Sequence, residues 1–293
     1  MGNLSVSLLV LGAGGQVGRA LIERAGSRAT GADRAACDIC DADAVAHAMS
    51  AEGIAVVVNC AGFTAVDRAE GECEQAYAVN AKGAAIVARA AAARSLPLIQ
   101  LSTDYVYAGN CIGAHSEDNP IAPVNVYGSS KAEGDVAVAS ENPAHLVLRV
   151  SWVFGIYGSN FVKTMLRLGR ERSELSIVDD QTGGPTEASD IADAVLTMAA
   201  ACLKPTFDAW GEYHFSGSPS TTWYGFAQAI FERTKMPSPH VVPISSSEYP
   251  TPARRPANSV LDCGKIQRVF AVAQPDWRIG LSRVLKALGE LRE

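Results

Sequence analysis

The side chains best suited to acid–base chemistry in this chain are Tyr127 and Lys131, in the stretch Tyr127-Gly128-Ser129-Ser130-Lys131. On a helix, a spacing of four puts both on one face with Cβ atoms about 5–6 Å apart. A buried ammonium beside a phenol favours the phenolate and lowers its pKa from about 10. Tyr127 is therefore expected to give or take a proton near neutral pH. Bringing it there takes a shift of about three units, roughly 4 kcal/mol of differential electrostatics. The same spacing also arises by chance on solvated helices, so the rest of the chain must supply a cofactor, a partner group and a substrate.

A cofactor loop stands near the start. Val6 to Leu11 reads as a short buried strand, Gly12-Ala13-Gly14-Gly15-Gln16-Val17-Gly18 as a glycine loop, and the segment through Leu21, Ile22 and Ala25 as a helix. Strand, glycine loop and helix together are the context of a dinucleotide site. Gly12 permits the tight turn, Gly15 lets a pyrophosphate approach the backbone, and Gly18 lets the helix pack closely. The helix N-terminus adds free N–H groups and partial positive charge. A second strand, Ala29 to Ala32, ends at Asp33, where a carboxylate would grip ribose hydroxyls, whereas the neighbouring Arg34 would hold a 2′-phosphate. NADPH and NADH both remain open. Asp38 and Ile39 lie where a loop could flank the adenine, or on a plain surface loop.

The pattern then repeats. Asp41 caps a helix to about Ala51, and Ala55–Ala61 is an apolar strand that delivers Gly62-Phe63-Thr64 to its carboxyl end. A long alanine-rich helix runs to about Ser95, with Asn80 its odd polar member, either bridging to the sheet or held by its own turn. Leu98–Ser102 delivers Thr103 and Asp104 to the same edge, 108–126 is a long polar loop, Tyr127 to about Ser140 is a helix, and Leu146–Val150 a strand. Five strand–helix alternations predict an α/β, doubly wound parallel sheet with right-handed crossovers. Past Val150 the pattern is less regular. The expected division is a dinucleotide-binding domain over 1–150, with 174–203 returning to it, and a smaller, irregular substrate lobe from 151–173 and 204–293.

Composition narrows the function class. A net charge of −6 with no basic run argues against a nucleic-acid surface. The apolar run at the N-terminus stops at glycine and has no basic leader, so neither a signal peptide nor a membrane span is expected. Seven scattered cysteines suggest reduced thiols in the cytoplasm, and Cys37-Asp38-Ile39-Cys40, without a second pair, reads as incidental.

The glycine loop, Thr103 and Tyr127-x-x-x-Lys131 resemble the extended short-chain dehydrogenase/reductase family. The resemblance is closer to its dTDP-4-dehydrorhamnose reductase branch, through Thr64-Ala65-Val66-Asp67, Ser102-Thr103-Asp104-Tyr105-Val106, Val124-Asn125-Val126-Tyr127-Gly128, Arg149-Val150-Ser151-Trp152-Val153 and Asn160 to Leu166. Asp180-Gln181, Pro185-Thr186, Thr222-Trp223 and Tyr249 to Pro256 continue it, so it spans nearly the whole chain. The resemblance implies a Rossmann-type fold in which Tyr127, Lys131 and Thr103 are catalytic. It puts Gly15, Gln16, Val17, Asp38, Ile39, Gly62, Phe63 and Thr64 on NADPH or NADH, with Tyr127 and Lys131 also beside the cofactor, and Thr103, Asp104 and Trp152 against a nucleotide sugar. Arg254 and Arg255 are separate candidates for its diphosphate, because guanidinium forks match phosphate geometry. Some members form dimers around magnesium held by glutamates. Here Glu187 and Asp190 are present but Ser189 stands where a glutamate is expected, which counts against both the Mg2+ and the dimer and leaves monomer or homodimer open. The same residues also suit a reductase or epimerase of another nucleotide sugar. A similar fold serves as the regulatory subunit of a methionine adenosyltransferase, a partner rather than a reductase, and the intact Thr103, Tyr127 and Lys131 set argues against that role.

Overall fold

The computed structural model describes residues 7–292, so Val6, the first residue of the expected opening strand, and position 293 lie outside the described residues. Strands β1 (Leu8–Leu11), β2 (Ala29–Ala32), β3 (Val56–Asn59), β4 (Leu98–Thr103) and β5 (His145–Val150) alternate with helices. These are α1 (Gln16–Ala25), α2 (Ala42–Met49), α3 (Val66–Gly71), α4 (Cys73–Tyr77), α5 (Ala84–Ala93) and α6 (Val126–Glu141). β1, β3 and β4 are buried along their whole length, as strands covered on both faces must be. Alternation along β1 divides the core. Leu8 and Val10 pack with Leu21 of α1, whereas Leu9 and Leu11 pack with Val45 and Met49 of α2 and Val87 of α5.

The second half adds β6 (Val153–Phe154), α7 (Phe161–Glu171), β7 (Glu174–Val178), β8 (Thr182–Gly183), β9 (Thr186–Glu187), α8 (Ala188–Cys202), β10 (Gly211–Phe215), β11 (Thr221–Thr222), α9 (Trp223–Arg233), β12 (His240–Ile244), α10 (Gly264–Phe270) and α11 (Trp277–Ala287). The main sheet is parallel, in the order β10-β5-β4-β3-β1-β2. From β1 the chain moves outward to β2 and then returns to the other side of β1 as β3. That reversal opens a crevice at the carboxyl ends of the strands, where such sheets bind ligands. A separate apolar core of Phe154, Phe226, Phe231, Trp277 and Leu281 unites β6, α9 and α11 in the second lobe.

Three expectations need correction. The alanine-rich helix is not continuous: Glu72, at φ −121° and ψ 44°, separates α3 from α4, and a π-helical turn over Ala78–Gly83 precedes α5. β10 lies in the main sheet, paired with β5, and Ile266 and Phe270 of α10 share its core, so the expected 204–293 lobe is divided. The 174–203 segment divides too. β7 pairs with β12, with Leu175 and Ile177 in the second core, and only α8 returns to pack beneath the main sheet.

Candidate active site

The glycine loop is built for close approach. Gly12 has φ +73°, and a Cβ there would fall 2.4 Å from the Ala61 nitrogen. One on Gly18 would fall 2.4 Å from the Gly12 carbonyl oxygen, so α1 could not sit this close to the loop with any side chain at that position. Gly15 caps α1 with no side-chain hydrogen bond, which leaves first-turn N–H groups open to an anion. From this loop two adjoining cavities, about 400 and 580 Å³, run along the carboxyl edge of the sheet and share Gly15, Cys60, Ala61 and Gly62.

The smaller cavity gathers Gly12, Gly15, Asp33, Arg34, Asp38, Ile39, Gly62 and Phe63. Asp33 Oδ1 accepts from the backbone of Ala35 and Ala36, at 3.0 Å each. Asp38 accepts from the Cys40 backbone, which, with the Arg34 guanidinium 3.4 Å away, holds its carboxyl below the ordinary value. The larger cavity gathers Gln16, Val17, Thr64, Thr103, Asp104, Tyr127, Lys131 and Trp152. Its glycine side, with open backbone donors at the α1 N-terminus, suits a dinucleotide diphosphate. The chain therefore fits the cofactor that its motifs imply.

β4 and α6 set the acid–base groups. Asn125 caps α6 by accepting from Gly128 N at 2.7 Å, which fixes the turn that carries Tyr127. Thr103 ends β4 and donates to Asp104 Oδ1 at 2.9 Å, while Ser151 donates to Asp104 Oδ2 at 3.3 Å. Burial pushes Asp104 up to about 6 against these donors. The expected tuning of the phenol is not what this geometry gives. Burial pushes Tyr127 above its ordinary value, and the Thr103 hydroxyl, not Lys131, is the group that opposes it. Lys131 instead donates to the Leu101 carbonyl at 2.7 Å. Helical spacing makes the two side chains neighbours, but a nearby strand carbonyl decides where the ammonium points.

Asn80 resolves the two readings given to it. It sits in the π turn, accepts from Phe63 N at 2.7 Å, and donates to Phe63 O at 3.0 Å and Ser130 Oγ at 2.9 Å. It thereby holds the Gly62-Phe63-Thr64 loop to α6. Trp152, at φ +46°, stacks face to face on Trp223, with centroids 3.5 Å apart and planes within 6°. Phe161 packs on the same indole at 4.7 Å. Trp223 and Phe161 line the larger cavity and were not among the expected site residues, although both fall in stretches that carry the resemblance. Gln16 accepts from Asn160 Nδ2 at 2.9 Å, which links the glycine loop to the second lobe.

Arg254 and Arg255 are not brought to either cavity. Arg255 forms a two-pronged pair with Asp67, 2.8 Å on each arm, and Ala253 N also donates to Asp67 Oδ1. Arg254 is exposed, and its carbonyl accepts from Asn125 Nδ2 at 2.8 Å. The loop that carries both arginines is thus clamped beside the site through α3 and the α6 cap. Glu187 and Asp190 are bridged by Arg283, whose Nε lies 2.8 Å from Glu187 Oε2 and whose Nη2 lies 2.5 Å from Asp190 Oδ1. A guanidinium between two carboxylates does not suit magnesium, and among the described residues no group of three or more metal-ligating side chains is found. Nor is any described helix long and apolar enough to cross a membrane.

A parallel sheet with a crevice at its reversal point, a glycine loop and a Tyr/Lys pair on one edge defines a Rossmann-type reductase of the short-chain dehydrogenase/reductase class. Comparison with known proteins narrows this: residues 6–290 match the model of the RmlD substrate binding domain family, and the chain belongs to that family. It is 40% identical to a dTDP-4-dehydrorhamnose reductase of Aggregatibacter actinomycetemcomitans, over 94% of this chain and 97% of that one. It is 39% identical to the enzyme of that name from Escherichia coli K12, over 97% and 98%. The crystal structure of dTDP-4-dehydrorhamnose reductase from Bacillus anthracis in complex with NADP superimposes with a TM-score of 0.90 at 34% identity, covering 96% of this chain and 99% of that one.

Proposed function

We propose that this protein is an NAD(P)H-dependent oxidoreductase that reduces the C4 ketone of dTDP-4-dehydro-β-L-rhamnose to dTDP-L-rhamnose. The observation that carries the reading is the convergence of Thr103, Tyr127, Lys131 and the glycine loop on two adjoining cavities at one sheet edge. Bound nicotinamide supplies a hydride to the carbonyl carbon. Tyr127 gives its phenolic proton to the oxygen that becomes the alcohol, and its raised pKa keeps that proton in place until negative charge develops there. Thr103 donates a second hydrogen bond to the same oxygen, turning from Asp104 to do so. Lys131, freed from the Leu101 carbonyl, holds the nicotinamide ribose and stabilises the phenolate left on Tyr127.

We assign the dinucleotide to the glycine loop and the smaller cavity, with Asp33 or Arg34 at the adenosine ribose and Asp38, Ile39, Gly62, Phe63 and Thr64 around it. The sugar is assigned to the larger cavity, between Thr103, Asp104 and the Trp152–Trp223 stack. The substrate lobe is therefore the part built on the second apolar core. Seven free cysteines fit a reducing, cytoplasmic setting.

The test is turnover. Purified protein with dTDP-4-dehydrorhamnose should consume NADPH or NADH. Tyr127→Phe should lose about 10²–10⁴ in kcat, the usual contribution of a positioned acid, while still binding cofactor. No consumption with either cofactor would refute the assignment, and interconversion of sugars without net cofactor oxidation would move it to an epimerase.

A further inference from the structure

Lys131 and Asp135 lie one helical turn apart on α6, and both are buried, at 5% and 3% exposure. Asp135 Oδ2 accepts from Ser102 Oγ at 2.9 Å and from Arg149 Nε at 3.1 Å. Among the described residues its Oδ1 is buried with no hydrogen-bond partner. A lone pair without a donor in the interior is costly to keep. An oxygen of this kind calls for a reason, and a functional use of its charge is one.

We propose that Asp135 is a positioning residue for Lys131: its buried carboxylate is the counter-charge that keeps the neighbouring ammonium protonated in a site otherwise hostile to it. The inference rests on the reductase reading above and deepens it.

The surroundings leave this task to Asp135. Around α6 the titratable and charged groups include Tyr127 and Asp135 on the helix, Cys60 after β3, Asp104 and Tyr105 after β4, Arg149 on β5, and Glu70 of α3 at the Val126 end. Tyr105 packs edge-on against Tyr127, away from the Lys131–Asp135 turn. Burial drives Lys131 down, and the groups that oppose it are Asp135 and then Cys60. Cys60, however, is pushed up to about 12 by its own burial and stays a neutral thiol at working pH. Burial pushes Asp135 up, and Arg149, ion-paired with it at 3.1 Å, opposes this first, with Lys131 and Ser102 behind it; that buried ion pair is what favours the carboxylate. Arg149 in turn donates to Tyr107 OH at 2.9 Å, and that hydroxyl meets His214 Nε2 at 2.7 Å. His214 is driven down to about 3 by burial and adds no competing charge. The chain from the second strand edge to the lysine therefore carries one cation and one anion before it reaches Lys131.

The test separates a counter-charge from a structural ion pair. Reductase activity with NADPH is followed against pH in the wild type, D135N, D135E and the double variant D135N/R149M. The alkaline limb of kcat reports loss of the Lys131 proton. D135E keeps the charge and should keep that limb. D135N should move it at least one unit lower, with tenfold or greater loss at pH 8.5 and little loss at pH 6. D135N leaves Arg149 buried and unpaired and can fail to fold. D135N/R149M removes both charges together, which interiors tolerate well, and should restore the melting temperature while the limb stays low. A double variant with both the wild-type limb and wild-type stability would overturn the proposal, as would a D135N profile lowered equally at every pH. Wild-type protein that turns over no nucleotide sugar would defeat the reductase reading instead, a distinguishable result.

Discussion

Asn80 offers the sharpest perturbation, because one carboxamide makes three hydrogen bonds between the π turn, the Gly62-Phe63-Thr64 loop and α6. Asn80→Ala removes all three. Asn80 is 2% exposed, so its own amide gains little from solvent in the wild type and all three bonds count. Each lost bond is worth about 1 kcal/mol net, and more where a backbone group is left unpaired. Phe63 is only partly buried, so water recovers part of the cost at its N–H and carbonyl. A total of about 2–3 kcal/mol follows. For a chain of this size that lowers Tm by roughly 5 °C. The loop then has to be ordered by the cofactor when it binds, and at 1.4 kcal/mol per tenfold the NADPH Kd should rise about ten- to hundredfold.

Calorimetric titration of NADPH and a thermal melt check both numbers. Asn80→Asp sharpens the result: its carboxylate still accepts from Phe63 N but cannot donate to Phe63 O or Ser130, and it buries a charge. It should bind NADPH worse at pH 8 than at pH 5, where Asn80→Ala shows no such difference. If Asn80→Ala binds within about threefold of the wild type and melts within about 1 °C of it, the loop is held by something other than this residue.

Asp104 gives a stability signature with a definite sign. Its folded pKa, about 6, lies above its ordinary value near 4, so the folded state holds the proton more tightly. The stabilising contribution is complete below about pH 4 and is lost as pH rises through about 6, amounting to at most about 3 kcal/mol. Denaturant unfolding between pH 4 and 7 should therefore show the wild type losing stability relative to D104N, and equal slopes would contradict the burial argument. Arg255→Met should leave the nucleotide-sugar KM within about twofold and lower Tm by only about 2 °C, because its partner Asp67 is 42% exposed and such pairs are worth less than about 1 kcal/mol. A tenfold rise in KM would return Arg255 to the diphosphate.

Local pattern carried most of what the sequence could say. Four-residue apolar strands between glycine or polar breaks announced β1 and β3, and the glycine loop announced the crevice. Those features are written over about ten residues each. β10 was harder to place, because Gly211-Glu212-Tyr213-His214-Phe215 does not read as a buried parallel strand, and its partner β5 ends 61 residues earlier. The clamp between Arg255 and Asp67 joins positions 188 apart, so neither residue's neighbours signal it. Trp223 lies next to Trp152 only because β8 and β11 pair and bring the second lobe over the edge. The Tyr127–Lys131 spacing places both on one helix face, but the ammonium turns to the Leu101 carbonyl and Thr103, not Lys131, opposes the upward push on Tyr127. Sequence separation gives a Cβ distance, whereas the pKa depends on burial and on which acceptor wins the ammonium.

That acceptor belongs to β4, and the strand explains why the site is so narrowly defined. Three consecutive residues each hold a different group: the Leu101 carbonyl holds Lys131, Ser102 Oγ holds Asp135, and Thr103 Oγ1 holds Asp104. Ser102 is in register with Arg149 on β5, so both side chains leave the sheet on the same face and meet the same carboxylate. A slip of one residue between β4 and β5 would exchange the faces of Ser102 and Thr103 and dismantle both sets of contacts. The acid–base groups are therefore as rigid as the centre of the sheet. On the proposed assignment of the sugar, adaptation to a particular sugar falls to Trp152, Trp223 and Phe161, which line the same cavity and pack on one another. Substitutions among these three should change which nucleotide sugar is reduced before they change how it is reduced.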